Sequence, residues 1–173
     1  ITGFAELTDG IILIATLNSG MFAYNSVTGK GTSVNGLESG MYTALMIKGN
    51  AMLLGSQEGL SLYSIDNAGE KAALKMKVAE LEFIRIQDIQ AALERNTYWI
   101  ATEDQGIFRL TLNGEQYSIV KTGLKFNLGK ENVQAVYEAP NHQLWVSTLR
   151  NGVYRLSQPD GKGDFGRATS FNK

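Results

Sequence analysis

The sequence predicts an all-β chain made of four consecutive units, each with four short antiparallel strands. Three observations support this fold class. One segment of twelve or thirteen residues recurs four times, glycine is abundant at 19 of 173 residues, and proline is scarce at 2. Many glycines with few prolines are typical of short strands that are joined by tight turns.

The recurring segment keeps the same order of residue types in each copy. An apolar triplet is followed by a small residue, Thr or Ser, a short turn, Gly and a second apolar stretch. The copies are 12–24 (ILIATLNSGMFAY), 52–63 (MLLGSQEGLSLY), 98–110 (YWIATEDQGIFRL) and 144–156 (LWVSTLRNGVYRL). The equivalent glycines are spaced by 39, 47 and 46 residues, and they are Gly20, Gly59, Gly106 and Gly152.

Each part of the segment predicts a piece of structure. The apolar triplet predicts a strand buried on both faces, which places Trp99 and Trp145 in the core. The polar residues and the glycine predict a hairpin turn, in which glycine supplies a positive φ. A Thr precedes this turn in three copies, at Thr16, Thr102 and Thr148. The stretch after the glycine alternates in polarity, as a half-buried strand does.

A further strand is predicted before each segment and a weaker one after it. The preceding strands are 4–10, 42–50, 86–96 and 133–142, and the following ones are 29–34, 74–81, 117–123 and 165–171. Four antiparallel strands in about 40–47 residues are the size of one β-propeller blade. We therefore expect one domain over 1–173, a partial β-propeller with blades at about 1–38, 39–82, 83–128 and 129–173.

Residues 72–95 admit a second interpretation. They are rich in Ala, Leu, Glu and Lys, and this composition favours a helix. The register of the repeat favours a first strand over 86–93, and tertiary context often overrides propensity. We adopt the strand and expect at most a helical turn near 72–81.

Composition narrows the functional classes. The net charge is −1, from 16 basic and 17 acidic residues, which gives no electrostatic reason to bind nucleic acid or an anionic membrane. There is no cysteine and only one histidine, His142. We therefore expect no disulfide, no metal site, no cofactor and no catalytic residue.

The third and fourth copies resemble the two-component regulator propeller repeat. That repeat has an apolar residue, Trp, an aliphatic residue, a small residue and Thr, then polar residues, Gly, and an apolar-Tyr-Arg-Leu strand. The matching residues are Trp99, Thr102, Gly106, Phe108, Arg109 and Leu110 in one copy, and Trp145, Thr148, Gly152, Tyr154, Arg155 and Leu156 in the other. The first two copies have Leu13 and Leu53 at the Trp position, and the second has Ser56 in place of Thr.

The resemblance implies a function. Such repeats form the periplasmic sensor region of Bacteroides-type hybrid two-component histidine kinases, which often respond to oligosaccharides. Their sensor regions have many more than four repeats, then an immunoglobulin-like domain and a membrane helix. The resemblance therefore implies that this chain is a non-catalytic, periplasmic fragment of a larger receptor.

Candidate ligand-binding residues lie just before the repeated glycines. In a propeller the equivalent turns share one face, so we expect a common contact surface formed by Asn18, Glu58, Asp104, Gln105, Arg150 and Asn151. Amide, carboxylate and guanidinium groups give directional hydrogen bonds that suit a sugar. The simpler interpretation is that turns are polar because they are exposed.

Two further functions stay open. One alternative is a structural scaffold or protein-interaction propeller that binds no small ligand. The other, which the residues support less well, is a propeller lyase or hydrolase. Its expected partners are an oligosaccharide and the remaining blades or neighbouring domains of the same receptor. Because an open half-ring would expose sheet faces, we also expect the fragment to associate with itself.

Overall fold

The computed structural model describes residues 1–8, 10–38, 40–114, 116–159 and 164–172. Within them, sixteen strands form four antiparallel sheets of four strands, and each sheet has its strands in chain order. This confirms the fold class that the repeat predicts. Among the described residues, no helix is long and apolar enough to cross a membrane.

The strand bounds follow the four repeats. Sheet 1 contains β1 (Gly3–Thr8), β2 (Ile11–Ala15), β3 (Met21–Asn25) and β4 (Lys30–Ser33). Sheet 2 contains β5 (Tyr42–Lys48), β6 (Ala51–Ser56), β7 (Gly59–Ile65) and β8 (Ala72–Lys77). Sheet 3 contains β9 (Ile86–Ala91), β10 (Thr97–Thr102), β11 (Ile107–Asn113) and β12 (Gln116–Thr122). Sheet 4 contains β13 (Val133–Glu138), β14 (Leu144–Thr148), β15 (Val153–Pro159) and β16 (Phe165–Phe171).

The chain divides into two compact units, Ile1–Ile86 and Gln87–Lys173. The first unit holds sheets 1 and 2, and the second holds sheets 3 and 4. The exception is Ile86, the first residue of β9, which belongs to the first unit. The single domain and the blade limits stay predictions, and two of the limiting residues, Ser39 and Lys173, lie outside the described residues.

Each unit has its own apolar core between its two sheets. In the first unit, residues of β2 and β3 pack with residues of β6 and β7, among them Leu13, Met21, Met52 and Tyr63. In the second unit, β10 and β11 pack against sheet 4, with Trp99, Ile107, Val136, Val146 and Leu156 in one cluster. Burying these side chains between paired sheets is the main favourable contribution to folding of each unit.

The prediction that every apolar triplet is buried on both faces is wrong for sheets 1 and 4. Strand β10 is buried throughout, whereas β2 and β14 bury only alternate residues. Trp145 is therefore half-buried, although its equivalent Trp99 is only 4 % exposed. The reason is that sheets 1 and 4 each contribute one face to the cores, so the side chains on the other face stay in contact with solvent.

The stretch with helical composition is mostly strand. Residues Ile86–Ala91 form β9 and Ala72–Lys77 form β8, whereas only Ala79–Leu81 make a 3-10 turn. Pairing of β8 with β7, for example Ala72 with Ile65, satisfies backbone groups that a helix would otherwise have paired. Two more 3-10 turns, Leu124–Phe126 and Leu128–Lys130, lead into sheet 4.

Candidate functional site

The turn between the second and third strands is held by its Thr hydroxyl. Thr102 Oγ1 donates to the carbonyl of Gly106 at 2.8 Å and accepts the N–H of Gln105 at 3.2 Å. Thr16 and Thr148 make the same pair of bonds in their own sheets. Ser56 does so in the shorter turn of sheet 2, with Gly59 and Glu58 as its partners. The repeated hydroxyl is therefore a turn-stabilising group.

The glycine at the end of this turn has a positive φ in all four sheets, between +73° and +125°. At Gly59 and Gly106 a side chain is also excluded for lack of space, because the linker to the next sheet passes close by. A Cβ on Gly106 would lie 2.2 Å from the carbonyl oxygen of Leu128, and one on Gly59 would lie 2.5 Å from that of Leu81. The turns and the linkers are thus packed against each other, and their side chains form the rims of two cavities.

The smaller cavity, in the second unit, brings three of the predicted ligand residues together. Asp104, Arg150 and Asn151 line a cleft of about 330 Å³ with Glu131 and Asn132. Asn151 Nδ2 donates to Glu131 Oε1 at 2.8 Å, and the N–H of Leu149 bonds the carbonyl of Asn132 at 2.9 Å. The described lining of the cleft has three carboxylates and two cations, and it contains no aromatic residue.

The remaining predicted residues are dispersed. Gln105 uses its Oε1 to accept a hydrogen bond from Lys121 Nζ at 3.0 Å, and that ammonium lies 5.5 Å from the centre of the Phe108 ring. Burial lowers the pKa of Lys121. Asn18 is exposed and lines neither cavity. Glu58 lines a different, larger cavity in the first unit.

The larger cavity, of about 620 Å³, lies beside sheet 2 at the end where its Glu58 turn is found. We call it the sheet 2 cavity. Its aromatic residues are Tyr42, Tyr63 and Phe83, and its charged residues are Glu38, Glu58, Lys77 and Glu82. Its volume is within the range of small-molecule sites, about 300–1,000 Å³, and its lining is rich in polar and charged groups.

The two tyrosines give this cavity neutral phenol groups. Burial, followed by the nearby Tyr63 and Glu38, raises the pKa of Tyr42 to about 12. The Tyr42 hydroxyl donates to the backbone carbonyl of Glu38. Burial is also the main reason why the pKa of Tyr63 is raised. Because the Tyr42 proton is already donated to Glu38, the Tyr42 oxygen is available to a ligand only as an acceptor.

Charge at the cavity is unbalanced. Lys77 Nζ lies 2.8 Å from Glu38 Oε2, and this hydrogen bond raises the pKa of Lys77. Glu58 and Glu82 add two more carboxyl groups to the lining. Three carboxylates against one ammonium make the local potential negative at neutral pH, which disfavours an anionic ligand.

Phe83 forms part of the mouth of the cavity in an unusual conformation. Phe83 is 77 % exposed, and its φ is +60°, a value that bulky residues seldom adopt. The N–H of Phe83 donates to the carbonyl of Glu58 at 3.1 Å, which fixes the backbone there. An exposed aromatic ring held in a strained conformation is a feature that points to a contact role.

Sequence reasoning missed the aromatic residues of this site. The available signal was Tyr42, which stands where the fourth repeat has Val133: Tyr42 pairs with Ser56, and Val133 pairs with the equivalent Thr148. The position of Phe83 beside the Glu58 turn depends on the fold of the linker, and the repeat pattern does not specify that fold. Among the described residues, no group of three His, Asp or Glu side chains could hold a metal ion.

Comparisons with known proteins identify the fold. No model of a known protein family matches the chain, and no curated protein matches it. Two similar solved structures come from B. thetaiotaomicron: the extracellular domain of BT3049, assigned to a hybrid two component system, and that of BT4673, assigned to a one component system. They share 20 % and 17 % identity with the chain at TM-scores of 0.69 and 0.70, and cover 99 % and 96 % of it.

The chain spans about a fifth of these two proteins, 22 % of the first and 21 % of the second. A third similar structure is the computationally designed Ika8 protein, with 14 % identity and a TM-score of 0.68. That match covers 95 % of this chain and 47 % of the designed one. The resemblance to sensor propellers is thereby confirmed at the level of the fold.

Proposed function

We propose that this chain is a ligand-binding segment of an extracytoplasmic sensor and that a neutral oligosaccharide occupies the sheet 2 cavity. The observation that carries the proposal is the composition of that cavity. Two tyrosines, an exposed phenylalanine ring and several carboxylates lie around one opening. Aromatic faces and directional hydrogen-bonding groups together match the apolar faces and hydroxyls of a sugar.

The negative potential of the cavity narrows the ligand further. Glu38, Glu58 and Glu82 outnumber Lys77, so a uronic acid or a sulfated sugar would meet net repulsion. A neutral chain, by contrast, gains hydrogen bonds from the carboxylates, which accept strongly from hydroxyl groups. The ligand class is therefore a neutral glycan.

The assignment to a two-component receptor is part of the same proposal. It is supported by the fold likeness to the extracellular domains of BT3049 and BT4673 and by the Trp-Thr-Gly-Arg pattern of the third and fourth repeats. In this account the segment is periplasmic and non-catalytic, and a kinase elsewhere in the protein is the output. The encoding gene tests this: a membrane helix and a kinase domain in the same reading frame would support it, and a lone secreted propeller would overturn it.

Calorimetric titration with a panel of oligosaccharides tests the ligand. The neutral members should bind, and matched members that carry a uronic acid should bind more weakly. Phe83→Asn should lower the affinity about tenfold through loss of the aromatic face. Because Asn tolerates the left-handed conformation, this variant should fold at least as stably as the parent chain. Absence of binding across the panel would favour the scaffold function.

Tyrosine variants provide a matched control. Tyr63→Phe should weaken binding, because it removes a phenol group from the cavity. Tyr24 occupies the equivalent position in the first repeat and lies outside the cavity, so Tyr24→Phe should leave the affinity unchanged. Equal effects of both substitutions would contradict this assignment.

A further inference from the structure

Asparagine is followed by glycine at three places in the chain, at residues 35–36, 113–114 and 151–152. Asparagine is one of the thermolabile residues of proteins. A following glycine increases this lability, because no side chain shields the backbone nitrogen that attacks the asparagine amide. The three pairs have the same two residues, so differences in their reactivity must come from their surroundings.

The reaction that such a pair undergoes is deamidation, and it consumes only water. The glycine nitrogen forms a bond to the asparagine Cγ, the bond between Cγ and Nδ2 breaks, and ammonia leaves with the proton of the glycine N–H. Water then opens the resulting succinimide ring and yields a carboxylate and a proton. Breaking the bond from the ring nitrogen to Cγ gives aspartate, and breaking its bond to the backbone carbonyl carbon gives isoaspartate. Ring closure requires the main chain and the side chain to rotate until the nitrogen approaches Cγ.

At the first pair, the main chain is held on both sides. The N–H of Asn35 donates to the carbonyl of Glu70 at 2.8 Å, and the carbonyl of Asn35 accepts the N–H of Ala72 at 2.8 Å. Gly36 is closely packed as well, because a Cβ added to it would lie 2.0 Å from the carbonyl oxygen of Ala72. Rotation of the main chain would break both hydrogen bonds, so these contacts oppose ring closure at Asn35.

At the third pair, the side chain is held in addition to the main chain. The backbone N–H of Asn151 donates to Thr148 Oγ1 at 3.0 Å, and its Nδ2 donates to Glu131 Oε1 at 2.8 Å. A Cβ added to Gly152 would lie 2.7 Å from the carbonyl oxygen of Phe171. The amide group that would react is therefore bound to a carboxylate, and this hydrogen bond must break before the ring can close.

The second pair lacks such restraints. Asn113 is exposed, is the last residue of β11 and pairs with Gln116 across the hairpin. Its side chain makes no hydrogen bond with any residue in the described part of the chain. A Cβ added to Gly114 would have no atom within 4 Å, so the space around this glycine is open. The approach of the glycine nitrogen to Cγ is therefore least opposed at Asn113.

We propose that Asn113 is a site of spontaneous deamidation and that the contacts of Asn35 and Asn151 protect those two residues. The modification adds a negative charge at the end of β11. Where isoaspartate forms, it also adds a carbon atom to the main chain, which breaks the pairing of residue 113 with Gln116. The next pair along the hairpin, Leu112 with Tyr117, is retained.

Peptide mass spectrometry of the folded chain after incubation at mildly alkaline pH tests the site. Deamidation exchanges an NH2 group for OH, and the resulting gain in mass identifies the residue. We expect Asn113 to react about tenfold faster than Asn35 or Asn151, because each of those must first break two hydrogen bonds. The same incubation in urea that unfolds the chain is the control, and there the three sites should react at similar rates. An equal spread of rates in both conditions would overturn the proposal.

Variants of Glu131 test the protection of Asn151. Glu131→Ala removes the acceptor of the Asn151 amide, so deamidation of Asn151 should become about fivefold faster, while the rate at Asn113 is unchanged. Glu131→Gln retains an acceptor oxygen and should leave both rates close to those of the parent chain. An Asn151 that is equally stable in all three proteins, or an Asn113 that stays intact while another site reacts, would overturn the proposal. None of these outcomes depends on whether a glycan binds the sheet 2 cavity.

Discussion

The indole N–H of Trp99 donates to Oε2 of Glu138 at 2.8 Å and so connects sheet 3 to sheet 4. The same carboxylate oxygen accepts the N–H of Leu93 at 3.0 Å, and Oε1 lies 3.2 Å from Nδ1 of His142. The Glu138 side chain is 9 % exposed. A carboxylate buried to this extent needs several donors, and loss of the carboxylate leaves those donors without a partner.

Replacing Glu138 should therefore destabilise the second unit. Glu138→Leu leaves the indole N–H and the Leu93 N–H unpaired, and we expect the free energy of unfolding to fall by about 2–4 kcal/mol. Glu138→Gln retains an acceptor oxygen, so its free energy of unfolding should fall by less than half as much. Urea unfolding followed by tryptophan fluorescence measures both values. Equal stabilities of the two variants would show that the hydrogen bonds contribute little.

The close approach at Gly106 predicts a different kind of sensitivity. Gly106→Ala combines a φ of +73° with a Cβ at 2.2 Å from the carbonyl oxygen of Leu128, so the linker must move. Gly114, in the same unit, has a φ of +66°, and a Cβ added there would have no neighbouring atom within 4 Å. Gly114→Ala should lower the free energy of unfolding by about 1 kcal/mol, from backbone strain alone. Gly106→Ala should lower it further, because the linker must also move. Thermal unfolding of the pair separates strain from steric contact.

The hydroxyl of Thr102 offers a test of the repeated turn. Thr102→Val keeps the volume but loses both the bond to Gly106 and the bond from Gln105. Because this position is buried, the free energy of unfolding should fall by about 1–3 kcal/mol. Thr102→Ser keeps the hydroxyl and should lose less. A Val variant as stable as the parent chain would contradict a role for the hydroxyl.

The raised pKa of Tyr42 predicts a change of stability at alkaline pH. An unfolded tyrosine ionises near pH 10, and the folded one has a pKa of about 12, so the folded chain holds this proton more tightly. The contribution of this bound proton to the stability of the folded chain is complete below about pH 10 and is lost as the pH rises towards 12. Between these values the parent chain should lose more stability than Tyr42→Phe. Parallel curves for the two proteins would show that the shift is absent.

The repeat pattern predicted the strands well because it is local. Each Thr, turn and Gly determines a hairpin within a few residues, and the alternation of the next strand determines its buried side. The register of the repeat also overrode the helical composition of 72–95, as β8 and β9 show. Trp145 could not be placed correctly, because its burial depends on what covers sheet 4 and not on its own segment.

The residues of the proposed site follow less completely from the sequence. The sequence predicted that the polar turn residues share one surface. The structure places Asp104, Arg150 and Asn151 in one cleft but leaves Asn18 outside it. The sheet 2 cavity depends on Tyr42 and Phe83, which lie outside the recurring segment. The linkers that carry Glu38 and Phe83 differ between repeats in length and sequence, so a repeat pattern contains no information about their shape.

Backbone amide chemical shifts recorded during titration with a neutral oligosaccharide test the proposed function most directly. We expect the amides of Ser56, Glu58, Ser61 and Phe83 to shift together and to saturate with one dissociation constant. Asp104, Arg150 and Asn151 should remain unchanged. Shifts confined to those three residues, or no shift at any oligosaccharide concentration, would contradict a glycan site in the sheet 2 cavity.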